Sequence, residues 1–298
     1  MGRDGGFHPF KGRVSRHFGE SLRTRKWLTK RVFSYQLAPE DVYLSFDTNA
    51  NVFVLWSFRA DKRILVTKED VDTLKNDWLT DNTIAFWEEY LEREELCKYP
   101  LSNVVLLRPS MAFMLMQTPN PLTVKDALPD FSQTTHVFLP INDARSVTLA
   151  EGGSHWSLLL VSIIDSIAFH YDSLTPSNYN EARLATEKLS ILLGKRLRFM
   201  NLDDSPQQEN SNDCGVYVCI QMRHLLLKKI LTANSRERVS MSLGGKLVDA
   251  NGGRKEMLRT IERYRKEGER RSRQEENKSI SSFGKRKVAS GSPPRIDS

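Results

Sequence analysis

Apolar residues recur through the middle of the chain in short runs of the length that is typical of β-strands. Residues 157–164 and 167–171 flank Asp165 and Ser166, a pattern that predicts an antiparallel hairpin with a turn at these two residues. Further strands are predicted at residues 104–107, 137–141 and 196–202. The sequence thus indicates a sheet of four or five strands with one antiparallel pair.

Helical periodicity separates these runs. Residues 82–96 carry apolar side chains at helical spacing, after Thr80 or Asp81 as a capping residue. Residues 181–193 form an amphipathic stretch that ends at Gly194, a usual residue after a helix. Another helix is predicted to start at Cys214, and a last, highly charged one covers about residues 255–273. Strands interspersed with helices predict a single α+β domain.

Both ends of the chain differ from this middle part. Residues 1–36 and 277–298 lack a sustained apolar period and are predicted to be disordered. Residues 52–56 and 64–66 are two apolar clusters around a charged segment, which predicts an additional hairpin. The expected organisation is a basic tail (1–36), a folded domain (37–250) and a charged helix with a basic tail (251–298).

Charge is divided in the same way. The chain carries a net charge of +7, but residues 1–36 hold nine basic against two acidic residues, and residues 251–298 hold fourteen against seven. The middle part is therefore acidic. This argues against nucleic acid as a ligand of the folded domain and favours a partner with a positively charged segment. No apolar run is long enough for a membrane span.

The candidate chemistry begins with Cys214, which lies where the polar loop 210–213 meets an apolar helix. Gly215 leaves space beside the sulfur, and the positive end of a helix stabilises a thiolate. A small buried residue at the start of a core helix is the alternative interpretation. Three cysteines are too few for a disulfide framework, and without a C-x-x-C pair a metal site at Cys214 and Cys219 is the minor alternative.

His155 and Asp172 are the candidate base and its orienting partner. His155 follows a Gly-Gly-Ser segment and opens an apolar strand, so a rigid scaffold could hold it at a cleft. Asp172 ends the next strand, at the same end of the hairpin. A two-residue turn leaves the pair about four positions out of register, so the pattern predicts a shared sheet edge and not contact.

Gln208 is the candidate oxyanion donor, since an uncharged amide can donate a hydrogen bond without adding a competing charge. Its neighbour Gln207 could serve instead. A cysteine nucleophile, a histidine base, an orienting aspartate and an amide donor are together the components of a thiol protease.

Four segments now resemble one family. Residues 78–81 (WLTD), 153–158 (GSHWSL), 170–173 (HYDS) and 206–215 (PQQENSNDCG) are similar to the SUMO/ubiquitin-like-modifier cysteine proteases. Residues 138–143 (FLPIND) and 169–173 (FHYDS) are most similar to its deneddylase (sentrin-specific protease-like) branch. The resemblance covers about residues 67–250, and residues 48–65 are an atypical insertion relative to that branch.

The resemblance implies a papain-like α+β core with a central mixed sheet and the nucleophile at the N-terminus of a central helix. It implies Cys214 as nucleophile, His155 as base, Asp172 as orienter and Gln208 as oxyanion donor. It also implies substrate-binding residues: Trp78 and Trp156 as walls of a tunnel for a Gly-Gly terminus, with Asp81 and Asn142 near the bound modifier. Both tryptophans could equally be core residues, and Asp81 could simply cap a helix.

The expected function is that of a thiol-dependent deneddylase, an isopeptidase that cleaves after the terminal Gly-Gly of a Nedd-type modifier in precursors and in lysine conjugates. Alternatives are SUMO- or ubiquitin-specific cleavage, an acyltransferase of the same clan, or a catalytically silent modifier-binding protein. The resemblance implies cullin-type conjugates as partners. We further expect no metal or organic cofactor, no membrane partner, a monomer, and a cytoplasmic and/or nuclear location.

Overall fold

A five-stranded mixed sheet organises the protein in its computed structural model, which describes residues 42–47, 52–57, 64–145, 152–233 and 238–284. Its strands are β4 (Val104–Leu106), β5 (His136–Asn142), β6 (Trp156–Ser162), β7 (Ile167–Tyr171) and β8 (Arg198–Asn201). They lie in the order β4-β5-β6-β7-β8. The outer pairs β4–β5 and β7–β8 are parallel, and the two central pairs are antiparallel, where the sequence indicated one such pair.

Helices cover both faces of this sheet. In chain order they are α1 (Lys68–Asn76), α2 (Asp81–Glu94), α3 (Pro109–Gln117), α4 (Tyr179–Leu193), α5 (Cys214–Leu225) and α6 (Ala250–Gly284). Short 3-10 segments at Leu96–Lys98 and Pro121–Ala127 and a π-helical turn at Leu226–Ile230 complete the described elements. Gly194 ends α4 at a φ of 61°, in the left-handed conformation that glycine tolerates best, as predicted.

Two separate hydrophobic clusters explain why the central strands read as continuous apolar runs. Leu158 and Leu160 of β6 point into one cluster with α2, α5 and α6. Leu159 and Val161 point into the other, with α3 and α4. Because successive side chains of a strand alternate between faces, a strand that is covered on both sides has no polar alternation. Helix α5, with Cys214 at its first residue, lies on the first face.

The β6–β7 hairpin is confirmed, but its turn contains residues 163–166 and is therefore longer than predicted. The register pairs Ser162 with Ile167 and Leu158 with Tyr171. Asp172 consequently lies opposite Ser157, only two residues from His155, instead of the four that a two-residue turn gives. The longer turn brings the two candidate side chains within reach of each other.

The N-terminal hairpin is confirmed as well. Strands β2 (Val52–Ser57) and β3 (Ile64–Thr67) pair antiparallel, with Val52 opposite Thr67, and β1 (Val42–Asp47) adds a third strand on the other side of β2. This sheet leads directly into α1, which Thr67 and Asp70 start with a reciprocal capping box. The atypical segment 48–65 thus contains one complete strand and the start of another.

Helix α6 is longer and more firmly attached than its charged sequence suggested. It begins at Ala250 and continues to Gly284, so residues 277–284 are helical where disorder was predicted. Pairs such as Arg265 with Glu269, one turn apart, support such a charged helix. Its inner face carries Met257, Ile261 and Tyr264, which are at most 5% exposed and belong to the first core cluster.

The boundary placed at residue 250 stays a prediction, and the buried face of α6 favours a later end of the folded domain. The predicted disorder of residues 1–36 and 285–298 concerns parts of the chain outside the described residues. Among the helices that the structure describes, none combines the length and the apolar character that crossing a membrane requires.

Replacing Ile261 by alanine should lower the free energy of unfolding by about 2–5 kcal/mol, because it removes buried methylene groups and leaves a cavity in the core. Arg259→Ala, on the exposed side of the same helix, should change it by less than about 0.5 kcal/mol. Denaturant unfolding followed by circular dichroism measures both. Equal effects of the two substitutions would show that α6 does not belong to the core.

Candidate active site

Cys214 is the first residue of α5 and is 1% exposed. Asp213 precedes it as the N-cap residue, without a side-chain capping bond. Gly215 faces Leu79, and a Cβ atom at position 215 would lie 2.8 Å from the Leu79 Cβ. Glycine therefore allows the segment around Trp78 to approach the beginning of α5 closely.

The loop before Cys214 is held by Asn210. Its Oδ1 accepts hydrogen bonds from the backbone N–H groups of Asn212 and Asp213, at 3.1 and 3.0 Å, and its Nδ2 donates to Asp213 Oδ2 at 2.7 Å. Such side-chain-to-backbone bonds are the usual way in which asparagine fixes a tight turn. The loop before Cys214, whose polar sequence predicted access to the thiol, is thus an ordered turn.

His155 lies directly before β6 and is 5% exposed. Its backbone N–H donates to Asp143 Oδ1 at 2.9 Å, and the same carboxylate accepts from the backbone and the hydroxyl of Ser154, both at 2.6 Å. Burial raises the pKa of Asp143, but these hydrogen bonds outweigh it and hold the pKa below its usual value. Asp143 therefore fixes the backbone from which the imidazole extends.

Asp172 and His155 form a direct hydrogen bond, with 2.6 Å between Asp172 Oδ1 and His155 Nε2. Asp172 is 1% exposed, and its carboxylate also accepts from the backbone N–H groups of Leu174 and Asn178, each at 2.9 Å. Since Nε2 is engaged by Asp172, Nδ1 of the ring is left for another partner, and Cys214 is near enough to contribute to the pKa of His155. The structure thus joins His155 to Asp172 directly and places Cys214 in the electrostatic surroundings of the imidazole.

These contacts favour a charged imidazole. Burial lowers the pKa of His155, but the hydrogen bonds to Asp172 and Cys214, together with their negative charges, outweigh it and raise the pKa to about 9. Burial raises the pKa of Asp172, and the hydrogen bonds from His155, Asn178 and Leu174 lower it below its ordinary value. The stability that His155 contributes is therefore full below its unfolded pKa and is lost as pH rises through about 9.

Asn178 is a member of the site that the sequence did not indicate. It is fully buried, and its Nδ2 donates to the carbonyl oxygens of Ile141 and His155 at 3.1 and 3.2 Å, while its backbone N–H holds Asp172. One residue therefore bridges the base and its orienter. Its position within a polar loop, six residues after Asp172, was the available signal.

The two adjacent glutamines have different surroundings. Gln207 Nε2 donates to the Asp172 carbonyl at 2.8 Å, and its Oε1 accepts from the Thr175 backbone N–H at 3.1 Å, so it ties down the loop after Asp172. Gln208 Oε1 accepts from the Ser173 hydroxyl at 2.7 Å, and its Nε2 donates to the Asn210 carbonyl at 2.7 Å. Gln208, and not Gln207, thus contacts the loop that leads to Cys214.

Trp78 and Trp156 each donate from the indole to a backbone carbonyl in a segment next to the start of α5. Trp78 is 44% exposed and donates from Nε1 to the Ser211 carbonyl at 2.8 Å. Trp156 is half-buried and donates from Nε1 to the Leu79 carbonyl at 3.1 Å. The exposed indole of Trp78 is not that of a core residue. The Trp78 ring is fixed to the loop before Cys214, and the Trp156 ring is fixed to the segment that Gly215 admits.

Asp81 and Asn142 occupy less specific positions. Asp81 is exposed at the first residue of α2, where Thr80 is the N-cap and accepts from the Thr83 N–H, and Asp81 Oδ1 accepts from the Asn82 N–H at 2.9 Å. Asn142 ends β5, and its Oδ1 accepts from Ala144 while Nδ2 donates to the His155 carbonyl at 3.3 Å. Their assignment as substrate-binding residues stays a prediction.

His170 and His136 lie in surroundings of their own. Both ring nitrogens of His170 have partners, Asn201 Oδ1 at 2.8 Å and Ser157 Oγ at 2.9 Å, and burial lowers its pKa. Burial also lowers the pKa of His136. Within the part of the chain that the structure describes, no three His, Cys, Asp or Glu side chains are grouped in a way that could hold a metal ion.

Titration of His155 tests this electrostatic arrangement. NMR of the imidazole Cε1–H signal should give a pKa of about 9, and either Asp172→Asn or Cys214→Ala should lower it because each removes a negative partner of the imidazolium. His136 serves as the internal control, since burial lowers its pKa and the nearby charge that acts on it is that of Asp165, so its pKa should not follow these substitutions. A His155 pKa that is unchanged in both variants would contradict the arrangement.

Several known proteins resemble this chain in sequence or in fold. Residues 77–244 match the Ulp1 protease family, C-terminal catalytic domain. The chain is 38% identical to NEDD8-specific protease 2 of Schizosaccharomyces pombe over 203 residues, which is 66% of this chain and 48% of that protein. It is 37% identical to NEDD8-specific protease 1 of the same organism, covering 51% of this chain and 37% of that protein. The chain thus spans less than half the length of these two relatives.

A shorter relative is covered more completely. Sentrin-specific protease 8 of Homo sapiens is 35% identical over 162 residues, 52% of this chain and 74% of that protein. Among solved structures, the SUMO protease Ulp1 with its catalytic cysteine oxidized to a sulfenic acid superposes with a TM-score of 0.50 at 18% identity, covering 84% of this chain and 95% of that one. This likeness confirms the α+β papain-like fold, and by the family match this chain belongs to the Ulp1 protease family.

Proposed function

We propose that this protein is a cysteine isopeptidase that cleaves after the terminal Gly-Gly of a NEDD8-type modifier, both in precursors and in lysine conjugates. The observation that carries the proposal is the buried hydrogen bond between His155 and Asp172, with Cys214 at the N-terminus of a helix and near enough to raise the pKa of His155. The relatives named for NEDD8 support the choice of modifier.

In the proposed reaction, Cys214 attacks the carbonyl carbon of the last glycine as a thiolate. His155 holds the proton, because its pKa of about 9 keeps the imidazole charged at neutral pH. It then donates this proton to the departing lysine amine as the C–N bond breaks, which leaves a thioester on Cys214. Water, deprotonated by His155, attacks the thioester and releases the modifier with a free carboxylate.

Gln208 is suited to stabilise the oxyanion of both steps. A glutamine Nε2 carries two N–H groups, and the bond to the Asn210 carbonyl uses one of them, so the other can donate to substrate. The backbone N–H of Cys214 is a natural second donor, since the first N–H groups of a helix have no partner within it. The Ser173 hydroxyl fixes the orientation of the Gln208 amide.

Trp78 and Trp156 supply the selectivity for glycine in this proposal. Two indoles beside the thiol leave room for a backbone without side chains, so larger residues are excluded by shape. Asp81, exposed at the first residue of α2, offers a carboxylate to a cationic residue of the modifier tail, and Asn142, whose Nδ2 donates to the His155 carbonyl, contributes at the His155 side. The acidic middle part of the chain favours the same kind of tail.

We also propose the cellular setting that the family suggests: cullin-type conjugates as substrates, a monomeric enzyme, and the cytoplasm and/or nucleus as the compartment. The three cysteines are all free thiols, which agrees with a reducing compartment.

Modifiers that carry a C-terminal electrophile test the function directly. NEDD8, SUMO and ubiquitin probes should label Cys214 in the wild-type protein, and the NEDD8 probe should react fastest. Mass spectrometry of the adduct follows the labelling. Faster labelling by SUMO or ubiquitin would overturn the choice of modifier and leave the chemistry intact. Absence of labelling by all three would overturn the proposed activity.

Cys214→Ala should abolish hydrolysis of a fluorogenic modifier while calorimetry still detects binding, because the thiol contributes to the chemistry and the surrounding surface to docking. Cys97→Ala and Cys219→Ala are the matched controls and should keep most of the turnover. Turnover by Cys214→Ala close to that of the wild type would remove this thiol from the mechanism.

Gln208→Leu should lower kcat by about 10²–10³-fold with a smaller change in KM, since an oxyanion donor acts mainly in the transition state. Steady-state kinetics with the same substrate measure both constants. Gln208→Glu is the matched control of similar shape, and its added charge should lower kcat at least as much. A change confined to KM would argue for a role in ground-state binding.

A further inference from the structure

Arg254 lies in α6, beyond residues 77–244 that match the family, and it is 3% exposed. Its guanidinium makes hydrogen bonds to four different residues. Nε donates to Asp213 Oδ1 at 2.8 Å, Nη1 to the Thr73 carbonyl at 2.9 Å, and Nη2 to the Asp77 and Asn212 carbonyls at 2.8 and 2.9 Å. A planar group with five N–H donors is suited to such simultaneous contacts, and a lysine is not.

These four partners belong to two segments that flank the thiol. Thr73 and Asp77 are at the end of α1, and Asp77 is followed by Trp78, whereas Asn212 and Asp213 lead into Cys214. Two further bonds join the same segments: Asn212 Nδ2 donates to the Asn76 carbonyl at 2.6 Å, and Trp78 Nε1 donates to the Ser211 carbonyl. The guanidinium lies between one wall of the site and the nucleophile loop.

The chain delivers Arg254 to this place by a local arrangement at the start of α6. The Asp249 side chain and carbonyl accept hydrogen bonds from the N–H groups of Gly252 and Gly253, at 2.8 and 2.9 Å. A Cβ atom at Gly253 would lie 2.5 Å from Ile220 Cδ1, so glycine lets α6 approach α5 closely. The sequence Asp249-Ala250-Asn251-Gly252-Gly253-Arg254 therefore combines a cap, a close approach and a buried cation.

We propose that Arg254 is a positioning residue that sets the distance between Trp78 and Cys214 and so determines how the Gly-Gly segment is presented to the thiol. This inference rests on the proposed function. Arg254 does not touch the reacting atoms and acts through the carbonyls of Asp77 and Asn212 and the carboxylate of Asp213. The ion pair with Asp213, whose Oδ1 lies 2.7 Å from Nη2, is largely buried and resists screening by salt.

A separation of the two segments by even a small distance should be visible in catalysis, because a misplacement of about 1 Å can cost about 100-fold in rate. We therefore expect Arg254→Ala and Arg254→Lys to lower kcat/KM for a NEDD8-based fluorogenic substrate by about 10–100-fold. The loss should be much smaller for alkylation of Cys214 by iodoacetamide, which needs the thiol but no aligned Gly-Gly segment.

Wild-type turnover is measured first, so that a failure of the proposed function is recognised before any variant is compared. All rates are taken at a temperature at which circular dichroism shows each variant to be folded. Asp213→Asn provides a second variant: it keeps the shape and the three carbonyl contacts but removes the ion pair, together with one of the two carboxylate oxygens, which bond to Arg254 and Asn210. It should lower kcat/KM less than Arg254→Ala, and the double variant should lower it less than the product of the two single effects.

Chemical rescue separates positioning from stability. Addition of millimolar ethylguanidinium should restore part of the kcat/KM of Arg254→Ala, whereas ethylammonium at the same concentration should not, because only the fork of donors can bridge the four acceptors. Rescue of turnover without a matching rise in the melting temperature is a result that a purely structural role would not give.

Glu256→Gln is the matched control on the same helix. Glu256 pairs with Arg223 at 2.6 Å and so attaches α6 to α5 without contacting the loop before Cys214. Its kcat/KM should stay within about twofold of the wild type. The inference is overturned if folded Arg254→Ala turns over within about twofold of the wild type, if Glu256→Gln loses as much activity, or if iodoacetamide and modifier rates fall equally.

Discussion

The hydrogen bond between His155 and Asp172 joins the ends of two neighbouring strands in a place where water has almost no access. Two charged or polar groups in such surroundings are tolerated only when every remaining hydrogen-bonding atom has a partner, because an unpaired buried charge costs several kcal/mol. The loop after Asp172 therefore has to supply two backbone N–H groups, and Asn178 and Asp143 have to hold the backbone of His155. Much of the site around this pair meets that requirement.

The sheet and the helices both support the His155–Asp172 pair and its surroundings. Burial of both faces keeps β6 and β7 in register. The four-residue turn at one end of this hairpin therefore decides which side chains meet at its opposite end. On one face, α5 places Cys214 against this edge, and Gly215 lets the Trp78–Leu79 segment approach it. Rigid elements thus provide the base and the nucleophile, while loops that are rich in internal hydrogen bonds provide the surrounding walls.

Sequence patterns predicted the elements better than the contacts between them. The apolar runs were sufficient for β5, β6 and β7, and the polar-to-apolar change at Cys214 located α5. Contact between His155 and Asp172 could not be predicted, since it depends on a turn length that periodicity does not encode. The sequence also could not distinguish the surroundings of Gln207 and Gln208, which follow from long-range bonds to residues 172–175. The buried face of α6 was hidden by its many charges, although Met257, Ile261 and Tyr264 follow the spacing of one helix face.

The position of Arg254 near the end of the folded part has a consequence for the growing chain. During synthesis, the sheet, His155, Asp172 and Cys214 all leave the ribosome before α6, and domains fold as their segments become available. A nascent chain that has passed Cys214 but not Arg254 holds the complete set of reacting groups, while the loop before the thiol lacks its two bonds to the guanidinium and the end of α1 lacks two more. A polypeptide that is cut between Cys214 and Arg254 is in the same situation. It would keep the reacting groups and lose the alignment of the Gly-Gly segment with the thiol.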